Sequence, residues 1–176
     1  MKNSIYFTFL LVAGILATTS CRRTEVFGVD NISVIFQLDS IPETGEHLLG
    51  YEVVHFPLDS VARSVGLDPE DLKELSFEYL HLQALDGSNF NNFQSASAGV
   101  SSEGHPITPI GSSGIIPEWT DYVVIDVNRS LNLVEYLRSA NNTFRLHLYG
   151  HILQPRFTPL TIKAKMRFRV VMRGRW

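Results

Sequence analysis

The stretch LTIKAKMRFRVVM, residues 160–172, decides the fold class. Apolar and basic residues alternate along it, and a period of two is typical of a β-strand with one buried face and one exposed face. The apolar set is Ile162, Ala164, Met166, Phe168 and Val170, and the basic set is Lys163, Lys165, Arg167 and Arg169. The pattern predicts a long strand on a hydrophobic core, with a row of cations on its outer side.

Several other segments carry the strand pattern. They are ISVIFQLDS (32–40), EHLLGYEVVHFPLD (46–59), SFEYLHLQAL (76–85), DYVVIDV (121–127) and TFRLHLYGH (143–151). In the second of these, Leu48, Val54 and Phe56 share a parity and are expected on one face. Residues 88–102 read as a weaker, exposed strand, and residues 101–118 read as a long loop because they are rich in proline and glycine.

Two helical pieces interrupt the strands. Asp59 or Ser60 is expected to cap a turn that ends at Gly66, and Asp68 followed by Pro69 starts another. The segment SLNLVEYLRS (130–139) predicts a short helix capped by Asn128 or Ser130. Because strands dominate, the sequence predicts an all-β protein, an antiparallel β-sandwich of the immunoglobulin-like or jelly-roll-like kind, with the helices closing its ends.

The first twenty residues have the pattern of a secretory signal. Lys2 precedes an apolar run at residues 5–17, and small residues then lead to Cys21. Thirteen helical residues span roughly 20 Å, which is too short for a bilayer core of about 30 Å. The expected organisation is a signal peptide at 1–20, a lipidated tether at 21–30 and one β-sandwich domain at 31–176.

Cys21 is the single cysteine of the chain. In one interpretation it is the lipid-bearing first residue of a lipoprotein, although Thr18 departs from the aliphatic residue usual three places before such a cysteine. In the other, cleavage after Thr19 leaves a free thiol, which is unusual in an exported protein. A lipid on Cys21 resolves that anomaly, so we expect membrane anchoring and neither a disulfide nor thiol catalysis.

The composition indicates a folded globule. The chain has 176 residues, 44% hydrophobic and 19% charged, with a net charge of −3. The charge is unevenly distributed, because residues 138–176 hold nine Lys or Arg and no Asp or Glu. An exported chain is not expected to bind nucleic acid, so the basic half is expected to have another kind of partner.

The basic row Lys163, Lys165, Arg167 and Arg169 is the first candidate site. Alternate residues of a strand stand roughly 6.8 Å apart on one face. One interpretation is a surface for an anionic partner, namely an acidic protein, a lipid headgroup or a glycan. The other is pairing with carboxylates on neighbouring strands, which the acidic first half of the chain can supply.

The second candidate is a ligand loop at residues 101–122, with His105, Trp119 and Tyr122 as its side chains. Aromatic side chains on loops often stack on sugars or dock proteins, so this loop predicts a glycan-binding module as the alternative function. The competing interpretation is that Trp119 folds over one end of the sandwich.

Neither a metal site nor an active site is expected. His147 and His151 share a strand face, but four residues of strand place them roughly 13 Å apart, which is too far for one ion. The sequence has no G-x-S-x-G or S-x-x-K motif, and GSSG at 111–114 has turn composition. We therefore expect no metal, no cofactor and no enzyme activity.

The order of these segments resembles a known group of proteins. The stretches at 55–85 (HFPLDSVARSVGLDPEDLKELSFEYLHLQAL) and 122–152 (YVVIDVNRSLNLVEYLRSANNTFRLHLYGHI), closed by IKAKMRFRVV at 162–171, are similar to uncharacterised small Bacteroidetes-type lipoproteins with a β-sandwich domain. The resemblance implies a fold and no activity. It also makes Ser40 and Ser60, each in an Asp-Ser-aliphatic triplet, possible glycosylation acceptors as well as ordinary turn and cap residues.

Together these features predict a non-catalytic binding or scaffolding lipoprotein of the cell envelope, anchored to the outer membrane. Surface-exported lipoproteins of such bacteria often carry acidic residues after the cysteine. Arg22 and Arg23 depart from that pattern, so the periplasmic face is favoured over the cell surface.

Overall fold

The computed structural model describes residues 22–175, which form eight β-strands and two short helices. The strands are β1 (Arg22–Leu38), β2 (Gly45–His55), β3 (Leu72–Ala84), β4 (Phe93–Ser102), β5 (His105–Ser112), β6 (Tyr122–Val127), β7 (Thr143–Ile152) and β8 (Leu160–Arg175). The helices are α1 (Leu58–Ser64) and α2 (Val134–Ser139), and a single 3₁₀ turn covers Pro69–Asp71.

The strands are joined in the order β1-β8-β3-β6-β5-β4-β7-β2, and every neighbouring pair is antiparallel. The two halves of this order, β1-β8-β3-β6 and β5-β4-β7-β2, are four-stranded sheets connected by a short pairing at Gly111–Val127 and Ser112–Asp126. Eight strands arranged in this way form a jelly roll. The expected all-β sandwich is therefore confirmed.

The antiparallel order separates the connections into two groups at opposite ends of the molecule. The loop end comprises residues 39–44, 85–92, 113–121 and 153–159, which follow the odd-numbered strands. The helix end comprises residues 56–71, 103–104 and 128–142, which follow the even-numbered strands. Both helices lie at the helix end, whereas the sequence led us to expect them at both ends.

The first strand starts earlier than expected. Residues 22–30, predicted as a tether, belong to β1 and pair with the end of β8, with Arg22 opposite Arg175. Cys21 and the predicted signal peptide lie outside the described residues. Within the described part, no helix is long and apolar enough to cross a bilayer.

The core lies between the two sheets. All five apolar residues predicted to face inward from β8 are at most 1% exposed. Phe168 is at the centre of an aromatic cluster, with ring centroids 4.7 Å from Phe77, 5.6 Å from Phe56 and 6.0 Å from Phe144. Tilted and edge-to-face contacts of this kind add to the hydrophobic stabilisation.

A β-bulge changes the faces of β2. The register with β7 shifts between Leu48 and Gly50, and Gly50 adopts a φ of 154° that an L-residue rarely takes. The inward-facing residues therefore have odd numbers before the bulge and even numbers after it. Val54 and Phe56 are buried as predicted, but Leu48 is 53% exposed.

Residues 101–118 are not one long loop. The segment 105–112 forms β5, and β4 is largely buried, although it was expected to be exposed. The loop prediction was wrong here because it took Pro106 and Pro109 as signs against a strand, since proline cannot donate a ladder hydrogen bond. They are accommodated because β5 contacts β6 only near Gly111 and Ser112, at the border of its sheet.

The helix caps also differ from the prediction. α1 starts directly after Pro57, so Asp59 and Ser60 lie inside its first turn. Asn128 binds the N–H of Ser130 in the preceding turn, whereas the side chain of Asn132 accepts the N–H of Val134 at the start of α2. Asp68 precedes the 3₁₀ turn as expected.

Candidate functional site

The basic row of β8 lies on the outer face of the first sheet, between β1 and β3. Arg167 Nε is 2.5 Å from Glu78 Oε2 and 3.4 Å from Asp30 Oδ1, and Arg169 forms an ion pair with Glu74. These carboxylates belong to the neighbouring strands. The arginines of the row therefore have the cross-strand partners of the second interpretation, and they do not form a free cationic surface.

The lysines of the row adjoin a group of rings. Lys165 donates to Gln83 Oε1 at 2.9 Å and stands opposite His81 in the register, as Lys163 stands opposite Gln83. The His81 ring stacks on Tyr79 at 4.3 Å and contacts the ring of Tyr122 at 5.2 Å. Burial, with a smaller contribution from the charge of Lys165, lowers the pKa of His81. This face is of mixed polarity.

The three residues predicted to form a ligand loop do not come together. His105 starts β5 near the helix end and stacks on Tyr136 at 4.8 Å. Tyr122 starts β6 near the loop end, and Trp119 lies in the loop just before it. The register pairs Gly111 with Val127, which places His105 and Tyr122 roughly 35 Å apart along the strands. Only Trp119 and Tyr122 share a region.

The loop end is held together by hydrogen bonds between loops that are distant in sequence. The N–H of Phe90 donates to Thr120 O at 2.9 Å, and the N–H of Leu153 donates to Asn92 O at 2.8 Å. The Asn91 side chain accepts the N–H of Trp119. Ile41 and Arg156 form an antiparallel β-bridge, in which the N–H of each residue donates to the carbonyl oxygen of the other. All four loops are therefore joined by hydrogen bonds into one surface.

The surface of the loop end carries large hydrophobic side chains that are highly exposed. Ile115, Trp119 and Phe157 are 83%, 79% and 75% exposed, the highest values among the large hydrophobic residues that the structure describes. Leu153 adds a fourth at 54%. Single exposed apolar residues are ordinary, whereas several of them at one end of the molecule make that end a candidate interaction surface.

The charge of the loop end is strongly acidic. Its one cation, Arg156, is engaged with backbone carbonyls, since Nη1 donates to Asn89 O at 3.1 Å and Nε donates to Thr158 O at 3.2 Å. Burial lowers the pKa of this guanidinium. The carboxylates on the four loops are all exposed and are Asp39, Glu43, Asp86, Glu118 and Asp121. The surface therefore favours cationic groups in a partner.

The outer face of the second sheet holds a serine–histidine contact that the sequence did not predict. Ser101 Oγ lies 2.8 Å from His147 Nε2, and both residues are buried. No carboxylate orients His147, because its Nδ1 has no hydrogen-bond partner among the described residues. Burial, followed by the charge of Arg145, lowers the pKa of His147. The pair therefore lacks the orienting third group of a catalytic triad.

The described residues contain no group of three or more His, Cys, Asp or Glu placed to hold a metal ion. The histidines predicted to be too far apart, His147 and His151, lie on the same strand, one buried and one exposed. The features that the sequence missed, namely the loop end and the Ser101–His147 contact, join residues more than 25 positions apart. Local patterning carries no signal for such pairs.

The strand order defines the chain as a jelly-roll protein. Comparison with known proteins does not assign the chain to a family. No protein-family model matches the chain, and a search among curated proteins finds no relative. Three similar solved structures are weak matches. VP2 of infectious bursal disease virus is 11% identical with a TM-score of 0.43, covering 88% of this chain and 33% of that one.

The other two matches are weaker still. A Mud crab tombus-like virus structure is 9% identical with a TM-score of 0.37, covering 93% of this chain and 98% of that one. A two-domain protein of unknown function from Bacteroides fragilis is 10% identical with a TM-score of 0.33, covering 83% and 44%. The chain thus spans a third of VP2 and under half of the Bacteroides protein. Similarities at this level say nothing about a ligand.

Proposed function

We propose that this protein is a non-catalytic docking module of the cell envelope. A lipid on Cys21 holds it on a membrane, and the loop end binds a protein partner with a basic surface. The observation that carries the proposal is the group of exposed side chains Ile115, Trp119 and Phe157, which lie on two of the four loops that hydrogen bonds join at the loop end.

The position of β1 supports this arrangement. Because β1 starts at Arg22, the anchor residue directly precedes a paired strand at the helix end. The seventeen residues of β1 then run toward the loop end, a distance of roughly 50 Å. A chain anchored at Cys21 therefore presents the loop end away from the membrane, where a partner in the envelope has access to it.

The side chains favour a protein over a sugar at this end. Trp and Phe are enriched in the cores of protein–protein interfaces, and Trp is prominent among the residues that contribute most to binding. Ile115 and Leu153 are aliphatic and offer no ring face for a sugar. The exposed carboxylates around them complement Lys and Arg, and such complementarity speeds association and selects partners.

A rigid surface lowers the entropic cost of binding. The backbone hydrogen bonds from the 85–92 loop to Thr120 and Leu153, and the bridge between Ile41 and Arg156, order the loops before a partner arrives. Less conformational entropy is then lost on association. This preorganisation distinguishes the loop end from four independent flexible loops.

Two experiments test the proposal separately. Replacing Cys21 by Ser tests the anchor, since fractionation is expected to move the protein out of the membrane pool with a loss of lipid mass. Unchanged membrane retention and mass would rule out the anchor.

Co-purification from detergent-solubilised envelopes tests the docking surface. The double variant Trp119→Ala/Phe157→Ala is expected to lose a basic partner that wild type retains at low salt and releases at high salt. The matched control Val26→Ala/Ile35→Ala removes two exposed residues from β1 and is expected to keep the partner. Retention by the loop-end variant would refute the docking role.

A further inference from the structure

A trough runs along β4 on the outer face of the second sheet. The outward residues of this strand are all small, namely Ser95, Ser97, Gly99 and Ser101, whereas Ala96, Ala98 and Val100 face the core. The neighbouring strands carry larger outward side chains. The register places Tyr149 opposite Ser97 and His147 opposite Gly99 on one side, and Pro109 opposite Gly99 on the other.

The trough encloses a cavity of about 400 Å³, which lies within the range of small-ligand sites. Tyr149 of β7 forms one wall, and Ile107 and Pro109 of β5 form the other. Glu46 reaches the cavity from β2, and the floor includes Ser97. The small side chains of β4 and the larger side chains of the strands on either side together create a depression in the sheet face.

Gly99 keeps the trough open. A Cβ at this position would lie 2.9 Å from Ile107 Cγ2 and 3.3 Å from Thr108 O, so a larger residue would push against the β5 wall. His147, which stands opposite Gly99 on β7, reaches Ser101 Oγ of β4 through Nε2. The residue is only 6% exposed, and its buried Nδ1 has no hydrogen-bond partner among the described residues.

From this geometry we infer that the trough binds an uncharged sugar ring within a glycan. Tyr149 and the apolar wall of Ile107 and Pro109 match the C–H faces of a pyranose. The Glu46 carboxylate and the Ser97 hydroxyl match its hydroxyl groups, because a carboxylate accepts several hydrogen bonds and a serine both donates and accepts. The site is separate from the docking surface proposed at the loop end.

The charge of the cavity selects among sugars. Glu46 is the one ionisable carboxyl group that lines it, and no Lys or Arg lines it among the described residues. A sugar acid would place a second carboxylate near the first, which costs free energy through like-charge repulsion. The trough therefore discriminates against uronic acids.

The test is calorimetric titration of the full chain, purified in a detergent without a sugar headgroup. The probes are neutral oligosaccharides of glucose, mannose, xylose and N-acetylglucosamine, with oligogalacturonate as the charged comparison. At least one neutral probe is expected to bind with a Kd of about 1 mM or below, and oligogalacturonate is expected to bind more weakly. No binding by any neutral probe, or tighter binding of oligogalacturonate, would overturn the inference.

Variants locate the binding in the trough. Tyr149→Ala is expected to weaken binding about tenfold, and Ser97→Trp is expected to abolish it by filling the floor. Tyr122→Ala and Ser33→Trp make matched changes on the outer face of the first sheet and are expected to leave the affinity unchanged. Thermal melting checks that each variant is folded. Folded Tyr149→Ala with wild-type affinity would place the sugar elsewhere and refute the inference.

The loop-end variant Trp119→Ala/Phe157→Ala separates this inference from the proposed docking function. It is expected to bind the neutral probe as wild type does while losing the protein partner. Loss of sugar binding in this variant would contradict a site in the β4 trough.

Discussion

Glu78 is the extra residue of a β-bulge in β3, and its carboxylate lies 2.5 Å from Nε of Arg167 on β8. Without the bulge, the alternation that points Tyr79 and His81 outward would point Glu78 into the core. The bulge between Phe77 and Tyr79 turns it toward the basic row instead. One backbone irregularity therefore provides Arg167 with its nearest carboxylate.

Glu78→Gln is expected to destabilise the fold only slightly. Both partners are about two-fifths exposed, at 40% for Arg167 and 37% for Glu78, so solvent screens the pair. We expect a loss of less than about 1 kcal/mol in the free energy of unfolding at low salt, shrinking at about 1 M salt. Urea unfolding at the two salt concentrations measures this. A loss that does not change with salt would contradict the electrostatic explanation.

Gly111→Ala is expected to damage the junction between the two sheets. A Cβ on Gly111 would lie 2.1 Å from Asp126 O, so β5 and β6 would have to separate. Overpacking of this kind costs about 1–3 kcal/mol. The control Gly114→Ala adds a methyl group with no neighbour within 4 Å and is expected to be nearly neutral. Equal melting temperatures for the two variants would contradict the close approach of the strands.

Phe168→Ala is expected to be among the most destabilising single changes in the chain. The residue is fully buried at the centre of the aromatic cluster, and removal of such a ring costs about 3–5 kcal/mol. Phe157→Ala makes the same chemical change at a site that is 75% exposed. We expect it to leave the melting temperature nearly unchanged, and a substantial drop would show that Phe157 supports the fold.

Stability is expected to fall on mild acidification. The folded-state pKa of His147 is lowered, first by burial and then by Arg145, so below about pH 6.5 the unfolded chain binds more protons than the folded chain. The free energy of unfolding therefore decreases as the pH falls from about 6.5 toward the folded-state pKa. His81 acts in the same direction. Denaturant unfolding of wild type and His147→Gln tests this, and identical pH slopes would contradict it.

The sequence predicted those parts of the fold that depend on uninterrupted alternation. In β8 no bulge interrupts the stretch from Ile162 to Val170, so its five inward residues were predicted correctly. In β2 the bulge at Gly50 reversed the parity of Leu48, and in β5 the prolines obscured a border strand. A period of two carries no information about an inserted residue, which is why these parts could not be predicted.

The candidate site was less predictable than the fold. The sequence left open whether Trp119 is exposed or folds over one end of the sandwich, and the structure shows it 79% exposed. It grouped Trp119 with His105, however, because the two lie in one Pro- and Gly-rich stretch. The residue that in fact binds Trp119 is Asn91 of the 85–92 loop, and its neighbour Asn92 is bound by Leu153 of the 153–159 loop, so only strand order brings these segments together. Strand order is set by long-range packing that local patterns do not encode.

The central claim is that the loop end contacts a protein partner in the envelope. It is tested most directly by photo-crosslinking in intact cells, with a photoreactive amino acid in place of Trp119 or Phe157. Val26, which is exposed near the start of β1, is the control position. We predict one discrete adduct with a basic protein from positions 119 and 157 and none from position 26. Equal crosslinking from all three positions, or adducts from position 26 alone, would contradict the claim.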